Sequence, residues 1–111
     1  MYVYVCYVIS EKPAQLTSVY VSMVTPRTAL VTWTSYSAGE DEAPTISITL
    51  RYQNSTPDYH LVILLGSSSS KELTYLKPFS KYNVTVMATS VLGDGLWSNA
   101  VTFETLTASK F

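Results

Sequence analysis

Residues 76–90 read LKPFSKYNVTVMATS, and the fold is decided there. From Lys81 onward, Tyr82, Val84, Val86 and Ala88 alternate with Asn83, Thr85, Met87 and Thr89. Successive side chains of a strand point to opposite faces, so the first set faces a core and the second faces outward. β-Branched and aromatic residues dominate the run and suit a pleated, half-buried surface. Pro78 restricts the backbone just before the strand begins and lowers the entropy of the unfolded chain there.

The same period of two recurs on both sides of this stretch. Residues 29–34 (ALVTWT) set Ala29, Val31 and Trp33 against Leu30, Thr32 and Thr34. Residues 46–52 (ISITLRY) set Ile46, Ile48, Leu50 and Tyr52 against Ser47, Thr49 and Arg51. Further strands are expected at 19–23, 59–65 (with weak alternation), 72–76 and 99–105, the last with Val101 and Phe103 on one face. Turn residues separate them: Thr25-Pro26-Arg27-Thr28, a polar loop at 35–44, Asn54-Ser55-Thr56-Pro57, a Ser-rich loop at 66–71, and Leu92-Gly93-Asp94-Gly95. No helical period competes over a long window, and no internal repeat is present. About seven short strands at regular spacing imply an all-β, antiparallel Greek-key sandwich.

The chain has 111 residues, enough for one domain with its own core. A hydrophobic content of 47% excludes disorder of the whole chain. A net charge of −1 is too weak a field to mark nucleic acid or an anionic membrane as partner. Cys6 is the single cysteine, so no internal disulfide and no Cys-based zinc site can form. Residues 1–12 open with an apolar run too short for a membrane-spanning helix. They are expected to be an atypical or truncated signal, or part of a preceding region, ahead of an extra edge strand as a third reading. The domain is expected at 13–106, with a linker at 107–111.

Several spacings together resemble the fibronectin type III family. Pro26 precedes Trp33 by seven residues, Ile48, Leu50 and Tyr52 form a series ending in Tyr, and Leu76, Pro78 and Tyr82 are similar to the family's L-x-P-x-x-x-Y signature. Gly93-Asp94-Gly95 and Ser98 resemble the loop before the last strand. The resemblance implies a seven-stranded immunoglobulin-like sandwich. In it Trp33, Tyr52, Leu76, Pro78 and Tyr82 build the core, and Tyr82 forms a tyrosine corner with its hydroxyl bonded to upstream backbone.

Candidate chemistry is sparse. His60 is the only histidine and, even with Asp58 nearby, lacks the second group that acid–base work requires, so a surface histidine is expected. Glu40-Asp41-Glu42 lacks the spacing of a calcium loop and reads as a solvated acidic turn. Ser67 to Ser70 reads as a flexible loop. Asn83-Val84-Thr85 and Asn54-Ser55-Thr56 are glycosylation sequons; Asn83 faces outward, and Pro57 makes Asn54 the poorer acceptor. Fibronectin's integrin-binding module presents Arg-Gly-Asp in its last loop, whereas Leu92-Gly93-Asp94 lacks the arginine. Trp97-Ser98 is similar to half of the cytokine-receptor W-S-x-W-S box, whose tryptophans stack between arginines of the neighbouring strand. The outward positions there are Asn83, Thr85, Met87 and Thr89, with no arginine, so Trp97 is expected to pack across its own loop, with contact to a partner as the alternative.

The resemblance therefore implies a non-catalytic module of an extracellular adhesion or receptor protein, serving protein–protein interaction or spacing. The motif style is most similar to repeats of receptor-type tyrosine phosphatase ectodomains. No cofactor, metal, nucleic acid or small-molecule substrate is expected, and membrane association only through a parent receptor. The alternatives are a structural module of an intracellular muscle-type or cytoskeletal protein, and an accessory domain of a secreted carbohydrate-acting enzyme.

Overall fold

Apolar residues at every second position dictate strands, and the computed structural model, which describes residues 13–34, 44–55 and 59–108, contains eight of them. They are β1 (Tyr20–Ser22), β2 (Ala29–Thr32), β3 (Ser47–Gln53), β4 (Tyr59–Leu65), β5 (Ser70–Leu73), β6 (Lys81–Ser90), β7 (Gly93–Asp94) and β8 (Val101–Glu104). One sheet runs β1-β2-β5; the other runs β4-β3-β6, with β7 and β8 both pairing along the far edge of β6. All pairings are antiparallel, so the class is the expected sandwich with one additional two-residue strand in the loop before β8. The expectations for residues 1–12, for Glu40-Asp41-Glu42, for Asp58 and for the Thr56-Pro57 half of the second sequon fall outside the described residues.

The inward residues of both sheets meet in one core. Ala29, Val31, Leu50, Val84, Val86 and Ala88 are fully buried, and Leu16, Trp33, Ile48, Leu73, Leu76 and Tyr82 nearly so. Burying each Val- or Leu-sized side chain contributes about 1.5–3 kcal/mol, so this cluster is the main favourable term. Tyr52 and Pro78 are only half-buried. Tyr52 belongs to a row of rings that crosses four strands. His60 stacks on Tyr52 at 5.0 Å between centroids, Tyr52 tilts against Tyr82 at 6.4 Å, and Tyr82 stacks on Phe103 at 5.6 Å. Burial pushes the Tyr52 phenol above its ordinary value, with neighbouring Tyr82 adding to the shift.

The corner between the sheets is tied by side chains. The Lys77 amide donates to the Tyr82 hydroxyl at 2.9 Å, which is the upstream bond a tyrosine corner makes. Thr105, 1% exposed, donates to the Lys77 carbonyl at 2.6 Å and accepts from the Ser80 amide at 2.9 Å. Leu76 is held one step earlier, its amide donating to the Arg27 carbonyl at 2.9 Å.

Three local expectations are corrected. The strand expected at 72–76 lies at Ser70–Leu73, because Trp33 pins the preceding loop. Its indole N–H donates to the Ser68 carbonyl and its amide to the Ser69 carbonyl, both at 3.0 Å, so the Ser-rich segment is held to the core. Ile46 precedes β3 and is exposed instead of sharing the core face. Met87 does face outward by register, yet it is buried. Two glycines permit close backbone crossings: a Cβ on Gly66 would lie 2.0 Å from the Thr45 carbonyl oxygen, and one on Gly95 2.5 Å from that of Pro13.

Candidate interaction surface

With the inner faces committed to the core, partner chemistry must lie on outer faces, edges and loops. The outer face of the β4-β3-β6 sheet carries the features singled out in the sequence. Register places Tyr59, Gln53 and Asn83 in one row across the sheet, Leu61, Arg51 and Thr85 in the next, and Ile63, Thr49 and Met87 in a third.

Arg51 organises this face. Its guanidinium carbon lies 4.4 Å from the centroid of the Trp97 ring and 5.7 Å from that of Tyr59. A planar cation over an aromatic face gains electrostatic attraction, most over tryptophan. Trp97 belongs to the segment beyond β6, so it reaches Arg51 on β3 only by crossing the outer side of β6. That crossing accounts for the burial of Met87 and for the Thr85 hydroxyl, which is buried without a hydrogen-bond partner among the described residues. Trp97 therefore packs against the sheet. The arginine beneath Trp97 is Arg51 on β3, one strand beyond the neighbouring β6, whose outward positions carry none.

Ser98 holds the tryptophan in place. Its amide donates to the Val86 carbonyl at 2.8 Å, and its hydroxyl accepts from the Val86 amide at 3.0 Å. The side chain thus completes a ladder rung that main chain would otherwise supply. Gln15 adds a bond from its Nε2 to the Trp97 carbonyl at 2.8 Å.

Asn83 is exposed in the same face. Its Oδ1 accepts from the Thr102 hydroxyl at 2.7 Å, which leaves Nδ2, the atom a glycan would take, outside that bond. Arg51, Gln53, Asn83, Thr85 and Ala100 surround a shallow depression of about 210 Å3, below the usual size of a small-molecule site. Asn54 is half-buried at the end of β3 and lies apart from this face. His60 is committed to its stack with Tyr52. In the loop before β8, Asp94 accepts a 2.8 Å bond from the Thr89 hydroxyl, so its carboxylate is tied back to β6.

Along β4 the face turns apolar. Tyr59, Leu61, Ile63 and Leu65 are all exposed, Ile63 by 73% and Leu65 by 76%. β4 is also the sheet's edge, with no strand beyond it among the described residues.

The three-on-five antiparallel arrangement with its tyrosine corner defines an immunoglobulin-like β-sandwich module. Within that class, the model of the fibronectin type III domain matches residues 12–104, and the chain belongs to that family. Solved structures agree on the fold. The third fibronectin III domain of the human KIAA0343 protein is similar at a TM-score of 0.80 and 20% identity, covering 90% of this chain and 87% of that one. The fn3 domain of human contactin 1 gives 0.77 and 22%, covering 89% and 83%. The FN1-FN3 domains of chicken CNTN1 give 0.74 and 22%, covering 86% of this chain and 33% of that longer one. No curated protein sequence matches the chain.

Proposed function

We propose that this chain is a non-catalytic module of an extracellular adhesion or receptor protein, and that it presents the outer face of the β4-β3-β6 sheet to protein partners. The observation that carries the reading is Asn83: an exposed sequon asparagine in the end row of an otherwise organised face, with its amide nitrogen outside the bond to Thr102. A glycan there would be compatible with the fold and would border the Arg51–Trp97 stack. Fibronectin type III membership and the likeness to contactin domains support the same reading. Binding by such a module needs no titrating group. It rests on apolar and aromatic area with a polar rim, which the apolar row of β4 and the Arg51, Gln53 and Asn83 positions supply.

The test is expression of the chain through a secretory pathway, with and without removal of N-glycans. The expected result is a secreted protein whose mobility shift on deglycosylation disappears in Asn83→Gln and persists in Asn54→Gln. Retention without a shift in the wild type would overturn the reading and favour the intracellular structural module.

A further inference from the structure

The seven residues of β4, Tyr59–Leu65, read YHLVILL and contain no Lys, Pro, Asp, Glu or Arg. Soluble proteins blunt exposed sheet edges with charges, prolines, bulges or short strands. β4 has none of the first two, is as long as its neighbour β3, and pairs with β3 residue for residue from Tyr59–Gln53 to Leu65–Ser47 without a bulge. Its outward side chains are all apolar, and its free main-chain groups face away from β3. An edge of this kind is built to accept another strand.

We propose that β4 pairs with β4 of a second copy of this chain, forming a closed two-fold dimer in which the two β4-β3-β6 sheets become one. The sequence of the strand selects this occupant. Antiparallel pairing of all seven residues places Val62 opposite Val62 of the second copy. Leu61 then faces Ile63, His60 faces Leu64, and Tyr59 faces Leu65 across the axis. Residues directly opposite share a face, so the four exposed apolar side chains of each copy meet the same four of the other. No charge meets a like charge at any position, and the contact is isologous, which closes at two copies.

The size of the contact sets its strength. Four exposed apolar side chains per copy amount to of order 500 Å2, comparable with the largest apolar patch on a typical monomer. In-plane pairing covers the flanks of these side chains and leaves their outer face open, so two copies bury less than about 1,000 Å2, the lower bound of a specific interface. The dimer is therefore weak, with a dissociation constant in the micromolar range, and forms where the module is concentrated. This inference is independent of secretion and of any glycan.

The test is sedimentation velocity of the unglycosylated 111-residue chain from about 5 to 500 µM, spanning the micromolar range. The weight-average mass is expected to rise from one chain to two and stop there. Ile63→Lys and, separately, Leu61→Lys are expected to raise the dissociation constant at least about tenfold while keeping the wild-type urea midpoint. Met23→Lys, at an equally exposed site beside the other sheet, is expected to leave association unchanged. Amide exchange at residues 59–65 is expected to slow as concentration rises. A chain monomeric throughout, assembly continuing past two copies, or Met23→Lys acting as strongly as Ile63→Lys would each overturn the proposal. So would full protection of residues 59–65 already at the lowest concentration, because the edge would then be covered within a single chain.

Discussion

Replacing Thr105 by Val tests whether the corner of the sandwich is held by one hydroxyl. The substitution keeps the branched shape and removes the hydroxyl of a residue that is 1% exposed, an oxygen bonded on both sides. The Ser80 amide loses its acceptor at 2.9 Å and the Lys77 carbonyl its donor at 2.6 Å. A buried polar group left without a partner costs about 1–3 kcal/mol. The Ser80 amide bears most of that, since Lys77 lies on an exposed residue whose carbonyl can regain water. A total of about 2 kcal/mol follows. For a domain of this size it lowers the thermal midpoint by roughly 10 °C. Thr105→Ser retains the hydroxyl and loses one methyl, for about 0.8 kcal/mol. Tyr82→Phe removes the acceptor of the Lys77 amide and costs about 1 kcal/mol. Because Thr105 and Tyr82 hold the two sides of the same residue, the double variant should depart from additivity by more than about 0.5 kcal/mol. Urea unfolding followed by tryptophan emission measures all four proteins. If Thr105→Ser is as damaging as Thr105→Val, packing of the methyl group and not the hydroxyl secures the corner, and the reasoning is wrong.

Two further outcomes follow from the outer face and the ring row. Arg51→Ala should cost about 0.5–1 kcal/mol and increase solvent quenching of tryptophan emission, since Trp97 loses its cover while Trp33 stays buried; Arg51→Lys should restore only part, for lack of a planar group, and unchanged quenching would contradict the stack. The raised Tyr52 value has a definite sign: burial favours the neutral phenol in the folded state, so its contribution is fully present below the unfolded value of about 10 and is lost as pH rises through the folded value. Stability measured by urea titration should therefore fall above about pH 10, and Tyr52→Phe should make that fall shallower; an identical pH profile in the variant would remove Tyr52 as its source.

Residues whose role is to present one apolar face were legible in the sequence. The inward sets of β2, β3 and β6, with Trp33 just beyond β2, follow from alternation, and the roles of Leu76 and Tyr82 at the corner follow from the resemblance to the family signature. Features that depend on a small polar group replacing main chain were not. Thr105 and Ser98 look like ordinary strand-end polar residues, because alternation cannot tell a solvated hydroxyl from one that closes a ladder. The Arg51–Trp97 stack was hidden for a different reason. Alternation gives the face on which Arg51 lies, while the order of strands in the sheet decides that Trp97 crosses β6 to meet it. β4 concealed its edge row because inward Val62 and Leu64 are as apolar as outward Leu61, Ile63 and Leu65, so the period of two has no contrast to display.

The partner face and the pairing edge proposed for this module share the β4 row of one sheet, and geometry keeps the Asn83 glycan compatible with pairing. Asn83 stands on β6, two strands in from β4, at a spacing of about 4.8 Å per strand. A glycan on Asn83 would rise from the outer face roughly 10 Å inside the edge. Edge pairing extends the sheet in its own plane and leaves that face open. Face-to-face packing of the same apolar row would instead press a second copy against the glycan. Association of the glycosylated protein thus separates two geometries that the apolar row alone does not. In-plane pairing through β4 predicts the same dissociation constant with and without the Asn83 glycan, and a stacked dimer predicts its loss. Sedimentation of the secreted protein before and after deglycosylation makes the comparison. Loss of the dimer on glycosylation would keep the apolar row as the contact and reject strand pairing as its geometry.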